Sequence, residues 1–123
     1  MEWIEPVTPV GVFEYKLPPS KSHMIRQLIL ASQSAGKTEI RFNGIPGGDI
    51  ISMSNCLEMM GVNIKKYSKK WIVTPNKEGL IAPKNTIYCG NSGTVARIMT
   101  AMAANFDIEV IICLLYTSDA ADE

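Results

Sequence analysis

The chain has 123 residues, 46% of them hydrophobic and 20% charged, the make-up of one ordinary globular domain or of a piece of a larger one. Twelve Lys and Arg balance twelve Asp and Glu, so no net field draws the chain to nucleic acid or membranes, and any anion must be held locally. Cys56, Cys89 and Cys113 are far apart, odd in number and never in a C-x-x-C arrangement, which argues against a disulfide framework and a thiolate metal centre.

The N-terminus "MEWIEPVTPV" lacks the basic and apolar stretches of a secretory signal. The apolar run Ile108 to Tyr116 is broken by Glu109 and is much shorter than the roughly 20 residues of a membrane-spanning helix. Reduced thiols in the cytoplasm are the simplest expectation. Val12 to Leu17 alternates apolar and polar residues as a strand does, and Pro18 and Pro19 stop it. A helix follows, with Ser20 or Ser22 as its N-cap, Met24, Ile25, Leu28, Ile29 and Ala31 as its apolar stripe, and Gly36 as a left-handed terminator. Thr38 to Phe42 reads as a strand. The loop "NGIPGGD" then leads to a second helix from about Asp49 to Met60, capped by Asp49 and ended by Gly61. Val62 to Tyr67 and Trp71 to Thr74 read as a hairpin.

From Thr86 the order begins again: strand Thr86 to Cys89, helix Thr94 to Ala104, strand Ile108 to Ile112. Ser20 precedes Arg26 by six positions, as Asn91 precedes Arg97, and both intervals open a helix directly after a strand. This is the pattern of an internal repeat of an α/β unit whose second copy is cut short. "CLLYTSDAADE", Cys113 to Glu123, continues no earlier pattern and resembles the translation of a transposon-end adapter used for sequencing libraries. Those residues are set aside as a scar.

Two loops can carry chemistry. In "SKSHMIR" a helix N-terminus, already a weak anion site through its free N–H groups, gains the hydroxyls of Ser20 and Ser22, the Lys21 ammonium and the Arg26 guanidinium. Ser22 and Arg26 share a face, and Lys21 can reach across the same opening. Lysine supplies a mobile point charge and arginine a planar fork for two oxygens. The bland alternative is a serine cap followed by two solvated cations. In "CGNSGTVAR" Gly90 and Gly93 let a ligand approach the main chain, Asn91, Ser92 and Thr94 supply short donors, and Arg97 lies in the first turn of the next helix. The alternative there is a turn using Gly for geometry and Asn or Thr as cap. A second cationic helix entrance in the same register favours the functional reading of both.

Other features carry less. "SAGKT" lacks the first glycine of a phosphate loop and ends a helix instead of starting one. His23 is the only histidine, which makes metal binding an unattractive reading. Met53, Met59, Met60, Met99 and Met102 fall on apolar helix positions as core filler. "KKYSKK" reads as a solvated hairpin rather than a nucleic-acid patch.

"LPPSKSHMIRQLILAS" followed by "AGKTEI", and then "GNSGTVAR", resemble the two signatures of the 5-enolpyruvylshikimate-3-phosphate synthase family, and the similarity spans nearly all of Val12 to Ile112. The resemblance implies a mixed α/β fold of two similar domains, each built from three βαβαββ units and closing at a hinge. Residues 1–17 would then be a strand segment of the other domain, 18–112 one complete unit and about half of the next, and 113–123 a non-native tail. It implies transfer of enolpyruvyl from phosphoenolpyruvate to the 5-hydroxyl of shikimate 3-phosphate with release of phosphate, through a tetrahedral adduct and without metal or organic cofactor. Lys21, Ser22 and Arg26 match contacts to shikimate 3-phosphate. Lys21, Asn91, Gly93 and Arg97 match the phosphoenolpyruvate side, with Lys21 also the catalytic candidate. The implied protein is cytoplasmic and monomeric and binds small phosphorylated substrates. The chain as written lacks most of the site and is expected to be inactive alone. Two rivals are a UDP-N-acetylglucosamine enolpyruvyl transferase, whose loop pairs Lys with Asn where this chain has Ser22, and a non-catalytic phosphate-binding module.

Overall fold

Apolar residues three and four apart put Met24, Ile25, Leu28 and Ala31 on one helix face. In the computed structural model, which describes residues 3–115, that helix is α1 (Lys21–Ser32) and all four side chains are buried. Strand β1 (Thr38–Arg41) follows with Ile40 inward, and the same helical logic buries Ile50, Met53 and Leu57 on α2 (Gly48–Met59). Gly61, at φ 88°, ends α2. Its N–H donates to Glu58 O (3.1 Å) and that of Val62 reaches back to Leu57 O (3.1 Å), the paired closure that a left-handed residue permits.

The chain then forms the expected hairpin of β2 (Asn63–Lys66) and β3 (Lys70–Thr74), closed by Tyr67 N–H to Lys70 O at 2.9 Å. β3 lies between β1 and β2 in an antiparallel sheet, with Ile40 opposite Trp71 and Ile64 opposite Val73. Alternation along β3 buries Trp71 and Val73 against the helices, and Phe42 meets the Trp71 ring edge-on at 5.8 Å. At the edge of that helix-facing side Lys66 is held 3.2 Å from Glu58 of α2 and 5.4 Å above the centre of the Trp71 ring. β4 (Ile87–Tyr88), α3 (Gly93–Ala103) and β5 (Ile112–Cys113) complete the chain; the helix is the crossover that two parallel strands require. α2 packs on both α1 and α3, while the backbones of α1 and α3 stay apart. The fold is mixed α/β, with a single core shared by helices and both sheets.

Several expectations are corrected. Val12–Leu17 forms no strand: its alternation is real, but no strand among the described residues pairs with it, and Val12, Phe13, Tyr15 and Leu17 lie exposed. Gly36 is not left-handed. The Ser32 and Ser34 hydroxyls donate to Ile29 O (2.7 Å) and Ala31 O (3.0 Å), so serines close α1 before the glycine is reached. Gly47, not Asp49, is the N-cap of α2. The last strand begins at Ile112 because the chain turns through Asn105 to Ile108 after α3. Its pairing runs into residues set aside as a scar: Cys89 N–H donates to Cys113 O and Leu115 N–H to Gly90 O, both at 2.9 Å. The remainder of that tail, residues 116–123, lies outside the described residues.

Beneath the β4 end, the fully buried Cys56 thiol donates to Tyr88 O at 3.4 Å. Burial, reinforced by the neighbouring Cys89, pushes the Cys56 thiol from 9.0 up to about 12. Cys89 is raised too, again by burial. A buried acid of this kind stays protonated in the folded chain while its unfolded counterpart ionises, so stability falls as pH rises from 9 toward 12. Urea midpoints at pH 7 and pH 10 should show that loss, and Cys56→Ser should flatten it; an unchanged slope would place the alkaline sensitivity elsewhere. A second comparison isolates the helix stop. Gly61→Ala is strained by its φ and would bring a methyl 2.8 Å from the Ile81 side chain, whereas Gly36→Ala meets nothing within 4 Å. We expect the first to cost more than about 1 kcal/mol and the second to change stability by less than about 1 kcal/mol, read from the same urea titrations.

Candidate functional site

Lys21 is the first residue of α1, and no side chain caps that helix: Ser20 takes the N-cap backbone angles but its hydroxyl makes no capping bond. α2 likewise starts at Gly47 without a side-chain cap. Two helix entrances therefore keep their leading N–H groups free of protein side-chain acceptors, the condition for receiving an anion. They lie side by side. The Lys21 ammonium is 3.0 Å from Asp49 Oδ2 in the first turn of α2. Pro18, Pro19, Lys21, Gly47, Gly48 and Asp49 line a hollow of about 300 Å³ at this junction. Ser22 and Arg26 are exposed on α1, one turn apart.

The second loop is fixed differently. Gly90 has φ 58°, and a Cβ there would stand 2.6 Å from Ser52 Oγ, so glycine is required both by its angles and by its closeness to α2. Ser92 is buried and its hydroxyl accepts from Val95 N–H at 3.2 Å, making it the cap that starts α3. That leaves Asn91 exposed before the helix and Arg97 exposed one turn into it. Gly93 has no positive φ, and a Cβ at Gly93 would meet nothing within 4 Å. Its glycine answers to nothing in the described fold, and the space before it is open.

The structure joins Lys21 directly to Asp49 and brings Gly90, just before Asn91, against Ser52, so both loops are referred to the N-terminal end of α2. Sequence reasoning treated Asp49 chiefly as a cap, did not single out Ser52, and offered Ser92 as a ligand donor rather than the cap. The available signal was that Asp49 and Ser52, three apart, share a helix face. Larger hollows are less suited to phosphate. One of about 590 Å³ lies at the other ends of α1 and α3, among residues such as Ser34, Asn76 and Asn105. Helix C-termini present carbonyl oxygens and partial negative charge there, which repel an anion. No helix among the described residues is long and apolar enough to cross a membrane.

Comparison with known proteins places the chain in a family. Residues 12–113 match the family EPSP synthase (3-phosphoshikimate 1-carboxyvinyltransferase). The 3-phosphoshikimate 1-carboxyvinyltransferase of Methanococcus maripaludis is 38% identical over 87 residues, 71% of this chain and 20% of that protein. The Chlamydia felis protein of the same name is 36% identical over 96 residues, 78% of this chain and 21% of its own length. The structure of EPSP synthase from Acinetobacter baumannii superposes with a TM-score of 0.72 at 23% identity, covering 82% of this chain and 23% of that one, which establishes a shared fold. The chain thus spans about a fifth of the length of the curated relatives it matches. With the family matched across both loops and almost all of the described residues, the chain belongs to the EPSP synthase family.

Proposed function

We propose that the complete protein transfers the enolpyruvyl group of phosphoenolpyruvate to the 5-hydroxyl of shikimate 3-phosphate, and that this chain forms one wall of its substrate site. The observation that carries the reading is the placement of Lys21 at an uncapped helix entrance beside a second one, with Gly90, which leads into Asn91, packed on Ser52 at the same end of α2. Both substrates carry phosphate, and the entrances of α1 and α3 offer backbone N–H groups and the cations Lys21, Arg26 and Arg97. Lys21, Ser22 and Arg26 take shikimate 3-phosphate. Asn91 and the open backbone at Gly93 take phosphoenolpyruvate, with Lys21 between the two substrates and Arg97 beside the loop. The hydroxyl adds to C2 of phosphoenolpyruvate as C3 gains a proton. The adduct then loses phosphate from C2 and a proton from C3. Fixed dipoles and cations at the phosphates stabilise the charge that shifts in these steps. The acid and base groups belong to parts of the protein beyond this chain.

The same reading makes residues 1–17 a segment of a neighbouring domain, so that the exposed alternation of Val12–Leu17 has its partner strands there and Lys21 sits at the crossing. Residues 18–112 are one βαβαββ unit and part of a second. The complete protein works as a cytoplasmic monomer on small molecules, with no added cofactor.

In the complete protein, Lys21→Ala should lower kcat/KM by roughly 2 to 4 kcal/mol, the scale of a charge-assisted bond and of a phosphate left unpaired. Steady-state kinetics that leave kcat and both KM values at wild-type levels would remove Lys21 from the site. The chain by itself should release no phosphate from phosphoenolpyruvate in the presence of shikimate 3-phosphate; measurable release would contradict the division of the site proposed here.

A further inference from the structure

Among the described residues, Asp49 is the sole acidic residue in the first turn of α1, α2 or α3. It stands where two uncapped helix entrances and the Lys21 ammonium meet, and its carboxylate oxygen is 3.0 Å from the lysine nitrogen. The Asp49 side chain is 28% exposed and that of Lys21 57%, so the pair is partly solvated and can exchange partners. A carboxylate in a pocket meant for anions opposes the anion. It also restrains a flexible four-carbon side chain whose charge at a helix N-terminus is otherwise unfavourable.

We propose that Asp49 is a positioning residue, a built-in counter-ion that holds the Lys21 ammonium at the junction of α1 and α2 and yields it when a phosphate-bearing ligand arrives. The inference rests on the assignment of Lys21 to the substrate site. It adds that ligand phosphate and the Asp49 carboxylate compete for one ammonium, so that binding includes a partner exchange. The other charged or titratable side chains at this end, Arg26 on α1 and His23 facing the neighbouring hollow with Arg41, have no recorded ion pair with Asp49 among the described residues.

The test is a titration of this chain with inorganic phosphate, followed by the amide shifts of the first turns of α1 and α2 in two-dimensional NMR, for wild type, Asp49→Asn, Asp49→Glu, Lys21→Ala and the double variant Lys21→Ala/Asp49→Asn. Competition predicts that Asp49→Asn tightens phosphate binding about three- to tenfold, the scale of removing one partly solvated charge a few ångströms away. Asp49→Glu should stay near wild type. With Lys21 already replaced, Asp49→Asn should change affinity by less than about twofold, because nothing remains to be released. An Asp49 that merely supports α2 would alter thermal stability and leave phosphate affinity unmoved, which overturns the inference. An equal gain with and without Lys21 overturns it as well, since that is a general field and not an exchange. Phosphate shifts that are absent in wild type, or insensitive to Lys21→Ala, overturn the Lys21 assignment itself.

Discussion

The N-terminal end of α2 is the constraint on which the two candidate loops depend. A helix fixes residues three apart on one face, and here those residues are Asp49 and Ser52. Asp49 holds Lys21 at 3.0 Å, and Ser52 Oγ lies where a Cβ at Gly90 would meet it at 2.6 Å, so a side chain there would have to displace the serine hydroxyl. The backbones of α1 and α3 stay apart while both pack on α2, so their entrances are set relative to one another through α2. The position of that end is in turn secured from below, where Ile50, Met53, Cys56 and Leu57 are buried in the shared core. Core burial of this kind is worth roughly 1.5 to 3 kcal/mol per large apolar side chain, far more than a partly exposed ion pair of at most about 1 kcal/mol. The core therefore places the helix end, and the ion pair only orients the lysine.

How much could be read from the residues follows from the same ranking. The helical stripes of α1 and α2, the hairpin, and the glycine stop at Gly61 depend on local periodicity and backbone angles, and those are written in the sequence. Val12–Leu17 shows the limit. Period-two alternation describes which faces a strand would have, but strand formation also needs a partner edge, which is a property of other chain segments. Gly36 failed as a stop because Ser32 and Ser34 satisfied the last carbonyls first, a competition between side chains that composition does not rank. The late start of β5 came from the turn after α3, whose length no pattern announces.

The site was legible in part. The loops around Lys21 and Asn91 were visible because cations and small residues at a helix entrance are a chemical signature. Their common anchor was not, since the closeness of Asp49 to Lys21 and of Ser52 to Gly90 is a tertiary fact between segments 28 and 38 residues apart in the chain. Ser92 was offered as a ligand donor; its oxygen accepts from Val95 N–H and the residue is buried, so the exposed short donors of that loop are Asn91 and Thr94. Gly93 now stands apart from Gly90. One is needed by the fold, and the other is free to serve whatever approaches α3.

The central claim is that the entrances of α1 and α3, set by α2, receive one kind of ligand. The most direct measurement is a crystal structure of the chain soaked with tungstate, an electron-dense analogue of phosphate whose anomalous signal locates it without ambiguity. The account predicts a peak at the junction of α1 and α2, within hydrogen-bonding reach of Lys21, with any second peak before Gly93. Peaks confined to the lysines of the β2–β3 hairpin, with neither entrance occupied, would contradict it.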